Sequence, residues 1–182
     1  MPKPTPVIPA QVHSKSKSAF SLFELIIAVS IISILAAAVA PTMTRRLAKT
    51  RDARRIADMQ AVLEAIQLFH ADKGRWPVAD ANAGFSNWDV SHDGGFISEL
   101  QQTGYLLDRV SDPRSGDSYH YRYKVYPQGS FGCKGYSSFF VLGIREFETD
   151  AYESTSTGFF NCSGRNWGDE FDYVTGGGAT EK

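Results

Sequence analysis

The stretch "SAFSLFELIIAVSIISILAAAVAP", Ser18 to Pro41, decides how this chain folds. Between Phe20 and Ala40 it holds 21 residues, of which Glu24 alone carries a charge. A helix of that length covers about 30 Å, which matches the hydrocarbon core of a bilayer. The stretch therefore predicts a membrane-spanning helix that has a carboxylate near its start and a proline at its end.

The composition of the chain bounds what can follow this helix. The chain has 182 residues and a net charge of -1, with 42% hydrophobic and 13% aromatic residues. This length allows one modest domain plus appendages, and the hydrophobic content is sufficient for a packed core. The near-neutral charge argues against a chain-wide surface for nucleic acid. We expect one globular domain and no nucleic-acid partner.

Basic residues lie on both sides of the apolar stretch. The leader before it contains Lys3, Lys15 and Lys17 and no acid, and the positive-inside rule places such a leader in the cytoplasm. Charge counting alone leaves the topology open, because a second basic cluster follows the stretch. We favour a solvated helix face for this cluster over contacts with anionic headgroups or acidic neighbouring chains. Its members are Arg45, Arg46, Lys49, Arg51, Arg54 and Arg55.

The presence of Glu24 and Pro41 in the apolar stretch has three interpretations. A secretory signal peptide would be cut after Ala40, but Pro41 fits poorly in a protease cleavage site. A plain signal anchor would use Ser21 and Glu24 as a capping box, whose side chains accept from the first backbone N–H groups of the helix. In the third interpretation Glu24 lies in lipid because it meets a cation of another chain, since ionisable groups within membranes are by default functional.

The order of these residues resembles the N-terminus of the type IV pilin and type II secretion pseudopilin superfamily. It consists of a basic leader, a small residue, a Phe, a Glu four residues later and a proline 21 residues after the Phe. The resemblance implies that a prepilin peptidase cuts between Ala19 and Phe20 and that the new Phe20 amine is N-methylated. It also implies a single span of the inner membrane and an extracytoplasmic domain. Ala19 departs from the Gly with which the leaders of this family usually end.

The resemblance also implies that Glu24 and Pro41 act in assembly. In the family, the acid of one subunit neutralises the terminal amine of its neighbour as the helices stack into a filament. Electrostatics supports this role. A charge pair in a water-free helical bundle selects one axial register of the subunits, because a misplaced subunit leaves both charges unpaired. Pro41 removes one backbone hydrogen bond, so we expect a kink or a locally melted stretch at 37–41.

Beyond Pro41 an amphipathic pattern predicts a helical arm that packs on a sheet. The stripe consists of Ile56, Met59, Leu63, Ile66 and His70, widened by Val62 and Phe69, and we expect His70 to be a packed histidine. The turn "DKGRWP" ends the helix, because Gly74 supplies a cap and Pro77 blocks continuation. Family members close their long helix with a similar turn. The predicted segments are a leader at 1–19, a transmembrane and assembly helix at 20–43, its amphipathic continuation at 44–74 and a globular domain at 75–182.

The globular domain shows strand patterns. Alternation in "YHYRYKVY", 119–126, predicts a strand, and "SSFFVLGIREFE", 137–148, is apolar on both faces and predicts a central strand. "EFDYV", 170–174, predicts a third strand, and 96–107 predicts a short helix or helical turn. The fold class is α+β, with the second half of a long N-terminal helix packed on a small antiparallel sheet. The Asp-Pro turn before the Tyr-rich strand resembles the major pseudopilin.

The C-terminal region contains both cysteines and an acidic turn. Cys133 and Cys162 lack the spacing of a zinc site; outside the cytoplasm they are able to pair, and the alternative is two unpaired core cysteines. Many type IV pilins carry a disulfide, so the resemblance implies a Cys133–Cys162 bridge. Major pseudopilins often hold calcium in this region. We favour a solvated acidic turn and no cofactor, with calcium at Asp169, Glu170 and Asp172 as the alternative.

Catalytic motifs are absent, since the sequence contains no GxSxG, HExxH, GxxxxGK or GxGxxG. We therefore do not expect an enzyme, and the resemblance implies a structural subunit of a type II secretion pseudopilus or a type IV pilus. Its expected partners are prepilin peptidase, further copies, other pilins or pseudopilins, the inner-membrane assembly platform and lipid. The alternative is a monomeric, membrane-anchored extracytoplasmic binding domain that uses Glu24 only as a cap.

Overall fold

The computed structural model describes residues 20–150 and 161–180. The chain divides into two units, Met1–Thr42 and Met43–Lys182. The predicted leader and the loop at 151–160 lie outside the described residues. The described elements give an α+β fold, as the sequence predicted: one long N-terminal helix and a small antiparallel sheet.

The long helix, α1, spans Leu22–Lys73. It ends where the turn "DKGRWP" predicted, because Gly74 adopts a left-handed φ of 69° and its N–H donates to the His70 carbonyl at 2.9 Å.

The helix continues without interruption through Pro41. The prediction of a locally melted stretch at 37–41 was therefore wrong, because a proline removes one helical donor and the flanking residues keep helical backbone. A kink at this proline stays a prediction.

Four strands form the main sheet. They are β1 (Asp89–Val90), β2 (Tyr121–Pro127), β3 (Tyr136–Ile144) and β6 (Tyr173–Thr180), in the order β1-β2-β3-β6 and antiparallel throughout. A separate two-stranded sheet consists of β4 (Asn161–Cys162) and β5 (Arg165–Asn166), and a short helix, α2, spans Ser98–Gln102. The strand β3 is therefore central, as its apolar faces predicted.

The main sheet is covered on both faces. On one face Phe140 and Leu142 of β3 pack with the arm of α1, whose Met59, Val62, Ile66 and Phe69 are fully buried. On the other face the alternating residues Phe139 and Val141 pack with a second apolar cluster. That cluster includes Trp88, Tyr126, Trp167, Phe171 and Val174. The predicted stripe of the arm is thus the face that builds the core, and His70 is half-buried and stacks on Trp76.

The structure corrects the third strand and adds elements that the sequence did not predict. The predicted strand 170–174 starts later, at Tyr173, and continues through the glycine run to Thr180. Glycine fits at 177 and 178 because a Cβ on Gly177 would lie 2.9 Å from the Phe140 ring and a Cβ on Gly178 would meet the Tyr136 ring. The helix predicted at 96–107 is limited to Ser98–Gln102. The strands β1, β4 and β5 were not predicted, because each has two residues and is too short to show an alternating apolar pattern.

Candidate functional site

The described part of the first unit is an apolar helix that the chain itself does not cover. Every large apolar side chain from Phe20 to Leu35 is exposed, with Phe20 at 85% and Leu22 at 77%. Among the described residues, α1 is the one helix whose length and composition would suffice to cross a membrane. An apolar surface of this extent needs lipid or other protein to cover it.

Glu24 closes the start of this helix as a capping box. The Ser21 N–H donates to Glu24 Oε2 at 3.4 Å, and the Phe23 N–H donates to Ser21 Oγ at 3.3 Å. This is the local role that the second interpretation gave to Glu24. The bond to the carboxylate is long and Glu24 is exposed, so the carboxylate retains capacity to accept from a further donor.

Other polar side chains of the apolar helix are satisfied within it. The hydroxyls of Ser30 and Ser33 donate to the carbonyls of Ile26 and Val29, each at 2.8 Å. Such internal bonds let a serine enter lipid at low cost, whereas an ionised carboxylate there requires a cation. Glu24 is therefore the group of this helix that a partner would have to match.

Two predicted site residues are described only in part or not at all. Ala19, on the leader side of the predicted cleavage, lies outside the described residues, which begin at Phe20. Pro41 lies within α1, and its side chain is outside the described part. Their predicted roles in processing and in bending the helix stay predictions.

The second unit holds a buried ion network that the sequence did not predict. Arg55 and Asp52 are fully buried on α1, and Asp112 of the predicted Asp-Pro turn is nearly so. Arg55 donates to both oxygens of Asp112, at 2.7 and 2.9 Å, and to Asp52 Oδ1 at 2.6 Å. The planar guanidinium therefore fastens the turn to the arm in a bidentate pair.

A second acid, Glu148, joins the same network from the loop after β3. Arg51 donates to both Glu148 oxygens, at 2.7 and 2.5 Å, and Arg55 lies 2.9 Å from Oε1. Asp52 in turn accepts from the Glu148 N–H at 2.9 Å and the Thr149 hydroxyl at 2.7 Å. The arm is thus bonded to two loops that are distant from it in the sequence.

These contacts shift the pKa values of the network. The hydrogen bonds from Arg51, followed by those from Arg55, lower the pKa of Glu148 to about 2 despite its burial. The bond to Glu148 likewise raises the pKa of Arg51, and the bonds to Asp112, Glu148 and Asp52 raise that of Arg55 against its desolvation. All three groups therefore remain ionised at neutral pH.

The network corrects the interpretation of the basic cluster as one solvated helix face. Arg55 is fully buried and Arg51 is half-buried, because each pairs with acids of the same chain. Arg54 is 66% exposed and lies 3.8 Å from Asp58. The members that remain on the surface are Arg45, Arg46, Lys49 and Arg54. Of these ion pairs, the sequence could have predicted only the one between Asp52 and Arg55, because their spacing of three places them on one helix face.

The structure joins Cys133 and Cys162 in a disulfide, with their Cα atoms 5.0 Å apart. Both cysteines are buried against the aromatic cluster on the outer face of the sheet. The bond links the turn before β3 to β4 and so connects the separate small sheet to the main one.

The three acidic candidates for calcium are held by different partners. Glu170 accepts from Arg165 Nε and Nη2, both at 2.7 Å, Asp169 accepts from Asn166, and Asp172 accepts from the Phe147 N–H at 2.7 Å. In the part of the chain that the structure describes, no three His, Cys, Asp or Glu side chains are grouped as a metal site would require. The solvated turn without a cofactor stays the prediction and calcium its untested alternative, with which these partners would compete.

The helix, the sheet and the capped, uncovered N-terminal segment define a class of protein: an α+β domain on a long helix whose first half needs an external apolar environment. A family model for the prokaryotic N-terminal methylation motif matches residues 14–40. This match and the α+β fold both support the resemblance of the chain to the type IV pilin and pseudopilin superfamily. No curated protein matches the chain. No solved structure matches it either.

Replacing Arg55 by Met should destabilise the domain by about 3–5 kcal/mol, because it leaves Asp52 and Asp112 buried without their cation. The matched variant Arg54→Met, one residue earlier and 66% exposed, should cost no more than about 1 kcal/mol. Urea unfolding of the full chain in detergent, followed by tryptophan fluorescence, measures both. Equal losses in the two variants would show that the buried network does not stabilise the fold.

Stability should also fall with acid through Glu148. Its pKa is lower in the folded chain than the ordinary 4.5, so the unfolded state binds the proton first. The contribution is complete above about pH 4.5 and is lost as the pH falls toward 2. Glu148→Gln should flatten this part of the unfolding profile, and Glu146→Gln, two residues away, serves as the control. An unchanged slope in Glu148→Gln would contradict the expectation.

Proposed function

We propose that this chain is a structural subunit of a type II secretion pseudopilus or a type IV pilus. In this proposal prepilin peptidase processes it, and it polymerises through its N-terminal helix. The observation that carries the proposal is the helix from Phe20 to Leu35, whose large apolar side chains are all exposed. Its mechanical function requires the helix to exchange a lipid environment for a protein one.

Before assembly, lipid covers the helix. The basic leader stays in the cytoplasm, the helix spans the inner membrane, and the C-terminal domain lies on the extracytoplasmic side. The Cys133–Cys162 disulfide supports this orientation, because such bonds persist in oxidising compartments and are rare in the cytosol. The methylation motif supports cleavage before Phe20 by prepilin peptidase.

During assembly, neighbouring helices replace the lipid. Cleavage creates a positively charged amine at Phe20, and the exposed carboxylate of Glu24 on another copy accepts from it. The long capping bond of Glu24, 3.4 Å, gives way readily to a charged donor. Because the pair is formed in an apolar bundle, a subunit in the wrong register leaves two charges unmatched, and the filament accepts one register.

A second function is favoured by the capping box itself. A membrane-anchored binding domain would keep its leader and use Glu24 only to satisfy the Ser21 N–H. The two functions differ in what they require at position 24. A cap needs a hydrogen-bond acceptor, whereas an intersubunit pair needs a negative charge.

The mature N-terminus tests the proposal directly. We expect intact mass and N-terminal sequencing of the protein from its native membrane to show a chain that begins at methyl-Phe20. A chain that begins at Pro41 would be a secreted soluble domain. An uncut Met1 would indicate a simple anchor, and either of these two results would overturn the filament proposal.

Substitution at position 24 separates the two functions. Glu24→Gln should reduce incorporation into filaments at least about tenfold, since each missing charge pair costs more than about 1.4 kcal/mol in an apolar bundle. Membrane insertion should be unchanged. The matched variant Ser21→Ala removes the capping hydroxyl and keeps the charge, so it should assemble nearly as the parent chain does. Normal assembly of Glu24→Gln would leave Glu24 as a cap alone.

A further inference from the structure

An open groove runs along the arm of α1 in the second unit. One wall is the exposed side of the arm, with Ala61 and Leu68, and the other is the segment Tyr105–Ser111. Leu68 is 61% exposed and Leu107 is 93% exposed, so the groove presents apolar side chains that nothing in the described chain covers. Exposed leucines of this kind, bordered by charged residues, are typical of protein contact surfaces.

The groove is held in shape by its own contacts. The Tyr105 ring packs edge-on against Phe69, with centroids 5.4 Å apart, and its hydroxyl donates to Asp72. At the other end Asp58 accepts from the Tyr121 hydroxyl at 2.9 Å. Both walls are thus fixed to the core before any partner arrives, which lowers the entropic cost of binding.

Two acids at the rim have no side-chain partner in the described part of the chain. Among the described residues, neither Glu64 nor Asp108 forms a side-chain hydrogen bond or ion pair. The two cations of the rim do not pair with these acids. Arg54 lies beside Asp58, and the Arg109 guanidinium lies next to Gly94. The groove therefore offers free negative charge beside an apolar surface.

The start of the same arm presents positive charge beside an exposed apolar surface. Met43 and Leu47 are 56% and 57% exposed, and their spacing of four places them on one helix face. Arg46 lies between them in the sequence and, within the described chain, its side chain has no hydrogen bond or ion pair. Arg45 and Lys49 add two more exposed cations. This turn has the form of an amphipathic helix that docks in a groove through apolar anchors.

We propose that the Met43–Lys49 turn of one copy docks in the groove of a second copy, with Arg46 paired to Glu64 and Leu47 packed beside Leu68 and Leu107. The occupant is a second copy because its free cations and exposed apolar pair complement the free acids and uncovered leucines of the groove. This inference rests on the proposed filament function and adds a contact of the domains to that of the N-terminal helices.

The contact joins two different surfaces and is therefore heterologous. Arg46 and Glu64 are 18 residues apart on one continuous helix, or about 27 Å, so the turn of a chain cannot reach its own groove. In the proposed filament each copy uses its turn on one neighbour and its groove on another. A contact between two different surfaces builds a ring when its rotation closes and an open polymer when it does not, and the proposed filament is the open case.

Charge exchange tests the pairing in filaments of the full-length protein assembled by its own machinery. Arg46→Glu and Glu64→Arg should each reduce the number of filaments at least about tenfold, and the double variant should recover to within about threefold of the parent chain. Asp117→Arg reverses an acid that is 96% exposed and outside the groove, and it should leave filaments unchanged. Single variants without effect, or a double variant as defective as either single one, would overturn the pairing.

A cysteine pair gives a readout that does not depend on filament counting. In Arg46→Cys/Glu64→Cys the two thiols of one chain are too far apart to bond, because a disulfide needs Cα atoms within about 7 Å. Mild oxidation of filaments should give a ladder of covalent oligomers that extends beyond the dimer, while either single cysteine gives no ladder. Absence of the ladder in intact filaments would overturn the proposal.

Two further outcomes separate this inference from others. If parent-chain filaments are missing and the N-terminus is uncut, the proposed function fails. If filaments form from chains that begin at Phe20 but show neither ladder nor charge rescue, only the docking of the turn fails. A loss of membrane association in Arg46→Glu that Glu64→Arg does not repair would assign Arg46 to anionic headgroups, and it too would overturn the contact.

Discussion

The structure depends on one constraint: the apolar surface of the first half of α1 cannot be covered by the chain that carries it. The exposed residues Phe20 to Leu35 need one of two environments, lipid or other protein. A carboxylate within such a surface is costly unless a cation matches it. Glu24 therefore restricts what can cover this helix, and in the single chain it caps the start of the helix.

The second half of the same helix is fixed to the domain by two kinds of contact. Apolar packing by Met59, Ile66 and Phe69 joins it to the sheet, while Arg55 ties it to two distant loops through buried ion pairs. Apolar packing tolerates small slips, but a bidentate guanidinium pair loses its bonds when the groups shift. A shift of the arm relative to the sheet is thus opposed by directional bonds as well as by burial.

How far the sequence predicts this protein depends on the range over which each signal acts. The end of α1 at Gly74 and the faces of β3 were predicted correctly, because caps and periodicity are local. The extent of β6 was not, since Gly177 within it is explained by the Phe140 ring on the neighbouring strand. The basic cluster was assigned wrongly because the partners of Arg51 and Arg55 lie 97 and 57 residues away.

The sequence by itself determined the N-terminal motif, the apolar span, the position of its carboxylate and the α+β class, because each is written in contiguous residues whose spacing fixes a helix face or a strand face. Only the tertiary structure decided which arginines are buried, which acids remain free, and that a groove separates the arm from the segment Tyr105–Ser111. Periodicity tells which face of an element is buried. It does not tell what that face meets, because the partner is chosen by three-dimensional packing between residues that the sequence separates.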